Sequence, residues 1–294
     1  MSYVVERKSK SDGTSSTWAV VYRAADPVSG KRRQVWESGF ATEREAKRRC
    51  RKIDEAIESG RHALPSRMTV GEYLVEKWLP SIEARELKPN TKANYRTLAR
   101  AHLVPRIGGI QLQAVTPERL DALYGLLRTS GRRRGSGGLS PSTVRLVHVT
   151  IQKALGDAVD WGYLPANPAE RCKAVPAKAE TTMETWTPEQ LRVFLSQVAG
   201  DRLLAMWVLF ITTGMRRGEV AGLRWSDLDL DGGGLSVAQA RVSVDYAVVT
   251  GTPKSRSSCR TFGLDEVTVA ALRGHKARQA TERLAWGPAW SDTG

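Results

Sequence analysis

The stretch Thr213-Gly214-Met215-Arg216-Arg217-Gly218-Glu219-Val220-Ala221-Gly222-Leu223-Arg224-Trp225-Ser226-Asp227 concentrates the residues that could do chemistry. It sets an arginine just after a glycine and three residues before a carboxylate. A guanidinium stays protonated and offers a fork of donors to two oxygens of one phosphate. Backbone N–H groups at the start of a helix add further donors for an anion. Such a corner suits a phosphate group, although the same two residues also read as an ordinary i,i+3 ion pair on a helix surface. A second candidate is Lys254, within Thr252-Pro253-Lys254-Ser255-Arg256-Ser257-Ser258-Cys259-Arg260-Thr261-Phe262. It lies between two β-rich segments. Equally, it reads as one more surface lysine of a basic protein.

The flanking elements must hold these groups. Leu203 to Ile211 is a nearly unbroken apolar run and reads as a buried helix, which Gly214 ends by taking the left-handed conformation. The chain then restarts as a helix, so Arg216 falls at the junction, with Val220, Leu223 and Trp225 packing behind. Upstream, Thr187-Pro188-Glu189-Gln190 opens a helix with Leu191, Phe194, Leu195 and Val198 on one face. Downstream, Leu235 to Val249 and Arg260 to Leu264 are β-rich and flank Lys254, which places Tyr246 in a strand. Glu266 to Leu284 reads as a helix, and His275-Lys276-Ala277-Arg278 as its solvated face.

The rest of the chain reads as separate modules. Residues 1–62 give strand, strand, strand, helix: Tyr3 to Val5, Trp18 to Ala24, Lys31 to Phe40, then Glu43 to Ser59 behind a Thr42/Glu45 cap. Residues 66–165 give four helices. Their start signals are Thr69/Glu72, Pro89-Asn90-Thr91, Thr116-Pro117 and Ser140-Pro141. The second runs to about Leu103, and the last carries a core stripe of Val144, Val147, Ile151, Leu155 and Ala158. Between the third and fourth lies Thr129-Ser130-Gly131-Arg132-Arg133-Arg134-Gly135-Ser136-Gly137-Gly138, a flexible basic loop that suits phosphate contact or a solvated linker. Residues 166–186 read as an interdomain linker.

Composition narrows the partner. The 294 residues carry a formal charge of +14, which points to a polyanion, and nucleic acid is the default. The excess sits toward the amino terminus. Residues 1–62 hold 14 Lys/Arg against 9 Asp/Glu, residues 63–165 hold 15 against 8, and residues 166–294 hold 16 against 14. Cys50, Cys172 and Cys259 are isolated, with no histidine at ligand spacing, which argues against a structural zinc or a disulfide framework and fits a cytoplasmic location. The sequence shows no signal peptide and no apolar run of membrane-spanning length.

The full fifteen-residue pattern around Arg216 resembles the first catalytic-arginine motif of the tyrosine recombinases, the phage integrase family. The segment around Lys254 resembles that family's catalytic-lysine hairpin. Lys88-Pro89-Asn90-Thr91 and its apolar pattern resemble the SAM-like core-binding domain, and residues 1–62 resemble the arm-binding module of many integrases. The resemblance implies a multidomain fold, mainly α with α+β. In order it comprises a small β-sheet-plus-helix arm-binding module (1–62), a four-helix SAM-like core-binding domain (66–165), a linker (166–186) and part of a mixed α/β catalytic domain (187–294). Arg216 and Lys254 would be catalytic and Glu219 supporting, while Lys88, Arg132, Arg133 and Arg134 would contact DNA. The implied activity is site-specific DNA integration and recombination through a 3′-phosphotyrosyl intermediate, with no cofactor, neither metal nor ATP. The implied partners are double-stranded attachment sites and further copies of the chain, as a tetramer on DNA, with no membrane. The family's His-x-x-Arg element and nucleophilic tyrosine would follow Lys254. Here no tyrosine follows Tyr246, and the His275 element comes too early and in the wrong surroundings. The expectation is therefore a truncated recombinase, inactive alone. The alternative is a non-catalytic DNA-binding protein that occupies attachment sites.

If the amino-terminal charge excess grips DNA, a polypeptide of residues 1–165 should retard a duplex at low salt. Its affinity should fall steeply between 50 and 200 mM salt as condensed counterions are released. An affinity indifferent to salt would refute the electrostatic grip.

Overall fold

The computed structural model describes residues 2–8, 16–25, 32–59, 62–132, 135–178, 183–253 and 258–291. It divides into two compact units, residues 1–180 and 181–294.

The first unit begins with an antiparallel sheet of β1 (Tyr3–Lys8), β2 (Ser16–Ala25) and β3 (Arg32–Phe40), in that order. The middle strand is β-branched and aromatic in composition, and Ala19, Val20, Val21 and Tyr22 are buried in it. Helix α1 (Glu43–Glu58) starts where the Thr42 hydroxyl accepts the Glu45 N–H. It packs Ala46 and Ile53 against Val20, Tyr22, Ala24 and Leu64. The register aligns Tyr3, Val21 and Trp36 across the three strands. Tyr3 and Trp36 stay half exposed, with Gln34 Nε2 donating to Tyr3 Oη at 3.1 Å and the Arg7 guanidinium 5.8 Å from the Trp36 ring.

Four helices follow around one core, as the start signals imply. They are α2 (70–84), α3 (89–107), α4 (Pro117–Ser130) and α5 (Pro141–Asp160). Thr69 and Glu72 form a reciprocal capping box, and Thr116 and Ser140 cap their helices through side-chain oxygens. Helix α3 does not stop near Leu103 but runs through Pro105 to Ile107. A proline inside a helix lacks its N–H and crowds the carbonyl four residues back. The backbone is π-helical over Ala99–Leu103, and over Tyr73–Trp78 ahead of Pro80 in α2. The widened turns lie where those carbonyls sit. Asp157 of α5, 3% exposed, ties the bundle together. It accepts from Trp78 Nε1 at 2.8 Å and Lys153 Nζ at 2.7 Å, and pairs with Arg85 at 3.1 Å. Residues expected to begin a free linker are held to this unit. Asn167 Nδ2 donates to the Gln152 carbonyl, Ala169 is buried, and the N–H groups of Lys173 and Ala174 donate to Asp121.

The second unit contains α6 (Pro188–Gln197), α7 (Leu204–Thr213), α8 (Arg217–Ala221) and α9 (Glu266–Trp286). Strands β4 (Leu228–Asp229), β5 (Gly234–Ser236) and β8 (Thr261–Gly263) form one sheet in the order β4-β5-β8. Strands β6 (Ala240–Val244) and β7 (Ala247–Gly251) form a separate hairpin. The β-rich run from Leu235 to Val249 is thus split between two sheets. Tyr246 is not in a strand: with Asp245 it forms the hairpin's two-residue turn, both at positive φ, 48° and 65°, as a primed turn demands. Helix α7 is less buried than its apolar sequence suggests. Ala205, Val208 and Leu209 are buried, but Met206, Trp207, Phe210 and Ile211 are only half covered by the described residues.

The glycine spacing of the Arg216 motif has a packing cause. A Cβ on Gly218 would lie 3.0 Å from the Arg241 carbonyl oxygen, and one on Gly222 would lie 2.9 Å from Ala240 Cα. These two positions, one helical turn apart, let β6 lie flush on α8. Gln239 Nε2 adds a bond to the Gly222 carbonyl at 2.7 Å. Gly222→Ala should therefore destabilise the second unit by about 1–3 kcal/mol through overpacking. Gly200→Ala, with open space around its Cβ, should have little effect. Urea titration followed by tryptophan fluorescence checks the pair, and equal midpoints would refute the close-approach argument.

Candidate phosphate-binding site

The corner at Arg216 is built as the sequence implies. Gly214 ends α7 in the left-handed region at φ 59°, Met215 is buried, and Arg216 is the extended residue that starts α8. Its backbone N–H donates to Glu219 Oε2 at 3.0 Å and its Nη1 to Glu219 Oε1 at 2.8 Å. This is no ordinary surface pair, because the Glu219 side chain is only 3% exposed while that of Arg216 is 60% exposed. A buried carboxylate needs compensation on all sides, and a second arginine supplies it. Arg260 Nη2 donates to Glu219 Oε2 at 3.0 Å. Ser258 joins both arginines: its Oγ accepts from Arg216 Nη1 at 3.0 Å, and its carbonyl accepts from Arg260 Nη1 at 3.0 Å. The Arg260 guanidinium also lies 4.8 Å from the Phe262 ring.

Burial alone would push the Glu219 carboxyl up. The hydrogen bonds from Arg260, from the Arg216 N–H and from the Arg216 guanidinium outweigh it, and hold the group at about 2. The cluster therefore carries two fixed positive charges and one negative. Among the described residues Arg216 Nε and Nη2 have no partner, so one edge of the fork is anchored and the other is open. That arrangement fits a pre-oriented phosphate ligand.

Lys254, Arg133 and Arg134 lie outside the described residues. The flanks of the Lys254 segment are fixed, with Pro253 and Ser258 buried on either side. In the first unit, Arg132 folds back on its own loop, Nε donating to the Gly138 carbonyl at 3.2 Å. Lys88 is exposed at the start of α3. Of the His275 element, Lys276, Ala277 and Arg278 are exposed, as expected of a solvated face, but His275 departs from it. His275 is half-buried, its ring is 6.0 Å from that of Trp225, and burial pushes its pKa down. Arg278 donates to the Asp201 carbonyl at 3.0 Å. Trp225 helps to hold this side by donating to Gln279 at 2.6 Å. Sequence reasoning passed over Arg260 and Ser258. The available signal was the alternation Arg260-Thr261-Phe262, which sets the arginine and the phenylalanine on one face of a strand. Among the described residues no cluster of His, Cys, Asp and Glu could hold a metal ion. None of their helices is long and apolar enough to cross a membrane.

Comparison with known proteins agrees with this series of elements. A model of the arm DNA-binding domain matches residues 5–57, and one of the phage integrase amino-terminal SAM-like domain matches residues 70–124. Both matched domains are DNA-binding domains of integrases, and the chain is similar to the tyrosine recombinases. Similar members include a XerC-like tyrosine recombinase of Caldanaerobacter subterraneus subsp. tengcongensis, 26% identical over 84% of this chain and 65% of its own. The ICEBs1 integrase of Bacillus subtilis is 26% identical over 86% of this chain and 67% of its own. An integrase of Streptomyces ambofaciens is 26% identical over 99% and 74%. The chain thus spans about two thirds of the length of the curated relatives it matches most strongly. Among solved structures, the Tn1549 transposon integrase in complex with transposon right end DNA superposes with a TM-score of 0.59 at 22% identity, covering 70% of this chain and 64% of that one. A lambda integrase tetramer bound to a Holliday junction gives 0.52 at 18% identity, covering 87% and 68%. These likenesses establish a recombinase fold: arm module, helical SAM-like domain and mixed α/β region.

Because the Glu219 carboxyl is held below its unfolded value of 4.5, its contribution to stability is complete above that value and is lost as pH falls toward about 2. In size it is about 3 kcal/mol. Glu219→Gln should flatten this part of the acid-stability curve and lower stability at pH 7, because a neutral amide meets two guanidiniums. An unchanged curve would remove Glu219 from the charge balance.

Proposed function

We propose that this chain supplies the DNA-gripping modules and the first phosphate-binding half of a site-specific recombinase acting in DNA integration. The observation that carries the reading is the half-open fork of Arg216, anchored on a buried carboxylate at a helix start. In this reading residues 1–62 bind arm-type DNA and residues 66–165 bind the core site, with residues 166–186 leading to a catalytic region in 187–294. The sheet face that carries the half-exposed Tyr3 and Trp36, with Arg7 and Gln34, suits the major groove, which admits a β-ribbon. Lys88 and the Arg132–Arg134 loop add phosphate contacts.

At the cleavage site Arg216 would hold the non-bridging oxygens, with Glu219 as its support. Lys254, four residues before the buried Ser258, would protonate the leaving 5′ oxygen. A tyrosine would attack the phosphorus and keep the phosphodiester energy in a 3′-phosphotyrosyl bond, so that neither metal nor ATP is needed. The partners would be double-stranded attachment sites and further copies of the chain assembled as a tetramer on DNA, in the cytoplasm. Residues 247–294 contain no tyrosine, and Tyr246 lies at an exposed hairpin tip. That observation favours a second reading for these 294 residues by themselves: they occupy DNA without cutting it.

The two readings meet in one experiment. The chain, incubated with a pool of nicked duplexes, should retard DNA on a native gel and leave no protein-linked band on a denaturing gel. Arg216→Lys should weaken retention more than Arg217→Lys, because a lysine keeps the charge but loses the fork and Arg217 is an exposed neighbour. A protease-sensitive covalent band would overturn the binding-only reading. Equal effects of the two lysine variants would overturn the assignment of Arg216.

A further inference from the structure

The chain returning from the Lys254 segment brings a second guanidinium to the Arg216 corner, and both its terminal nitrogens are bonded to protein. Arg260 gives Nη2 to Glu219 and Nη1 to the Ser258 carbonyl, each at 3.0 Å. Its side chain is 30% exposed, half the value for Arg216. Glu219 Oε2 is thereby shared between Arg260 and the Arg216 backbone N–H, which leaves Oε1 for Arg216 Nη1. Remove Arg260, and a buried carboxylate loses a charged donor on one oxygen. The nearest replacement is Arg216 itself, which can turn a second nitrogen onto the carboxylate in the bidentate form that arginine favours. That turn would consume the edge of the fork that is now open.

We infer that Arg260, with Ser258, is a positioning residue: it occupies one side of Glu219 and so keeps the Arg216 fork turned outward. The chain following Lys254 and the phosphate corner are by this means one mechanical unit. The inference rests on reading Arg216 as a phosphate ligand. It adds that the ligand's orientation is set by a residue more than forty positions away in sequence, which itself does not meet the phosphate.

The test uses the full 294-residue chain with 15N-labelled arginine and two readouts. In the absence of any anion, the Arg216 Nε–H resonance of Arg260→Gln should move downfield, the mark of a new carboxylate hydrogen bond. With inorganic phosphate titrated at constant ionic strength, the same resonance should report an affinity about tenfold weaker in Arg260→Gln than in the unsubstituted chain, the margin of one charge-assisted hydrogen bond. Arg260→Lys keeps the charge but has a single nitrogen that cannot span both acceptors, so it should fall between the two. It also serves in place of the glutamine variant if that does not fold. An Arg260 variant that melts earlier yet leaves the Arg216 resonance and the phosphate titration unchanged would reduce Arg260 to a structural brace and overturn the inference. If phosphate leaves Arg216 undisturbed in the unsubstituted chain, the phosphate reading fails instead. The anion-free shift then decides the Arg260 inference alone, its absence overturning it.

Discussion

A carboxylate buried between two guanidiniums is the constraint from which the second unit is arranged. Glu219 is buried with three donors on its two oxygens, and they come from two places in the chain: the backbone N–H and guanidinium of Arg216 at the helix start, and the guanidinium of Arg260. Their convergence fixes the start of α8 against β8. The glycines at 218 and 222 serve the same end from the other side of the helix, by admitting β6 at backbone distance. Removing one partner of such a cluster costs far more than the cluster contributes relative to apolar packing. Its presence therefore points to a use for the geometry rather than to a need for stability.

The first unit is held differently. Its helical core is apolar and continuous, from Val70 to Ala169, and a buried ionic cluster around Asp157 joins α5 to α2 and the residue that ends it by short bonds. The arm sheet has a smaller core of its own, too slight to make it rigid without the helix behind it. On its other face Tyr3 and Trp36 stay half exposed among the described residues, with Arg7 beside the Trp36 ring.

Much of this was legible in sequence where local rules dominate. The caps at Thr42, Thr69, Thr116, Ser140 and Thr187 fall where expected, because a hydroxyl followed by a free N–H three residues on is a local event. The turn at Gly214 and the pairing of Arg216 with Glu219 are local too. What was not legible depends on residues far apart. The burial of Glu219 rests on Arg260, forty-one positions away. The continuation of α3 past Pro105 rests on a π-helical adjustment that no propensity scale contains. The half-burial of His275 follows from Trp225, fifty positions upstream, and no periodicity in α9 announces it. Tyr246 was misplaced for a related reason: a β-rich run reads as one strand, and the two residues that reverse it, Asp and Tyr, are not the glycine and asparagine that usually mark a primed turn.

That turn has a practical side. Asp245 and Tyr246 hold conformations that bulky residues adopt at some cost, and the Tyr246 side chain lies fully in solvent. The hairpin behind them is secured by five paired residues on each strand and by the glycine seat at its base. The tip is therefore an attachment point decoupled from the fold. A dye, a tag or a grafted recognition loop spliced between Val244 and Ala247 would ride on a rigid stem close in sequence to the Lys254 segment, and Asn-Gly at the same two positions would give a strain-free reference for it.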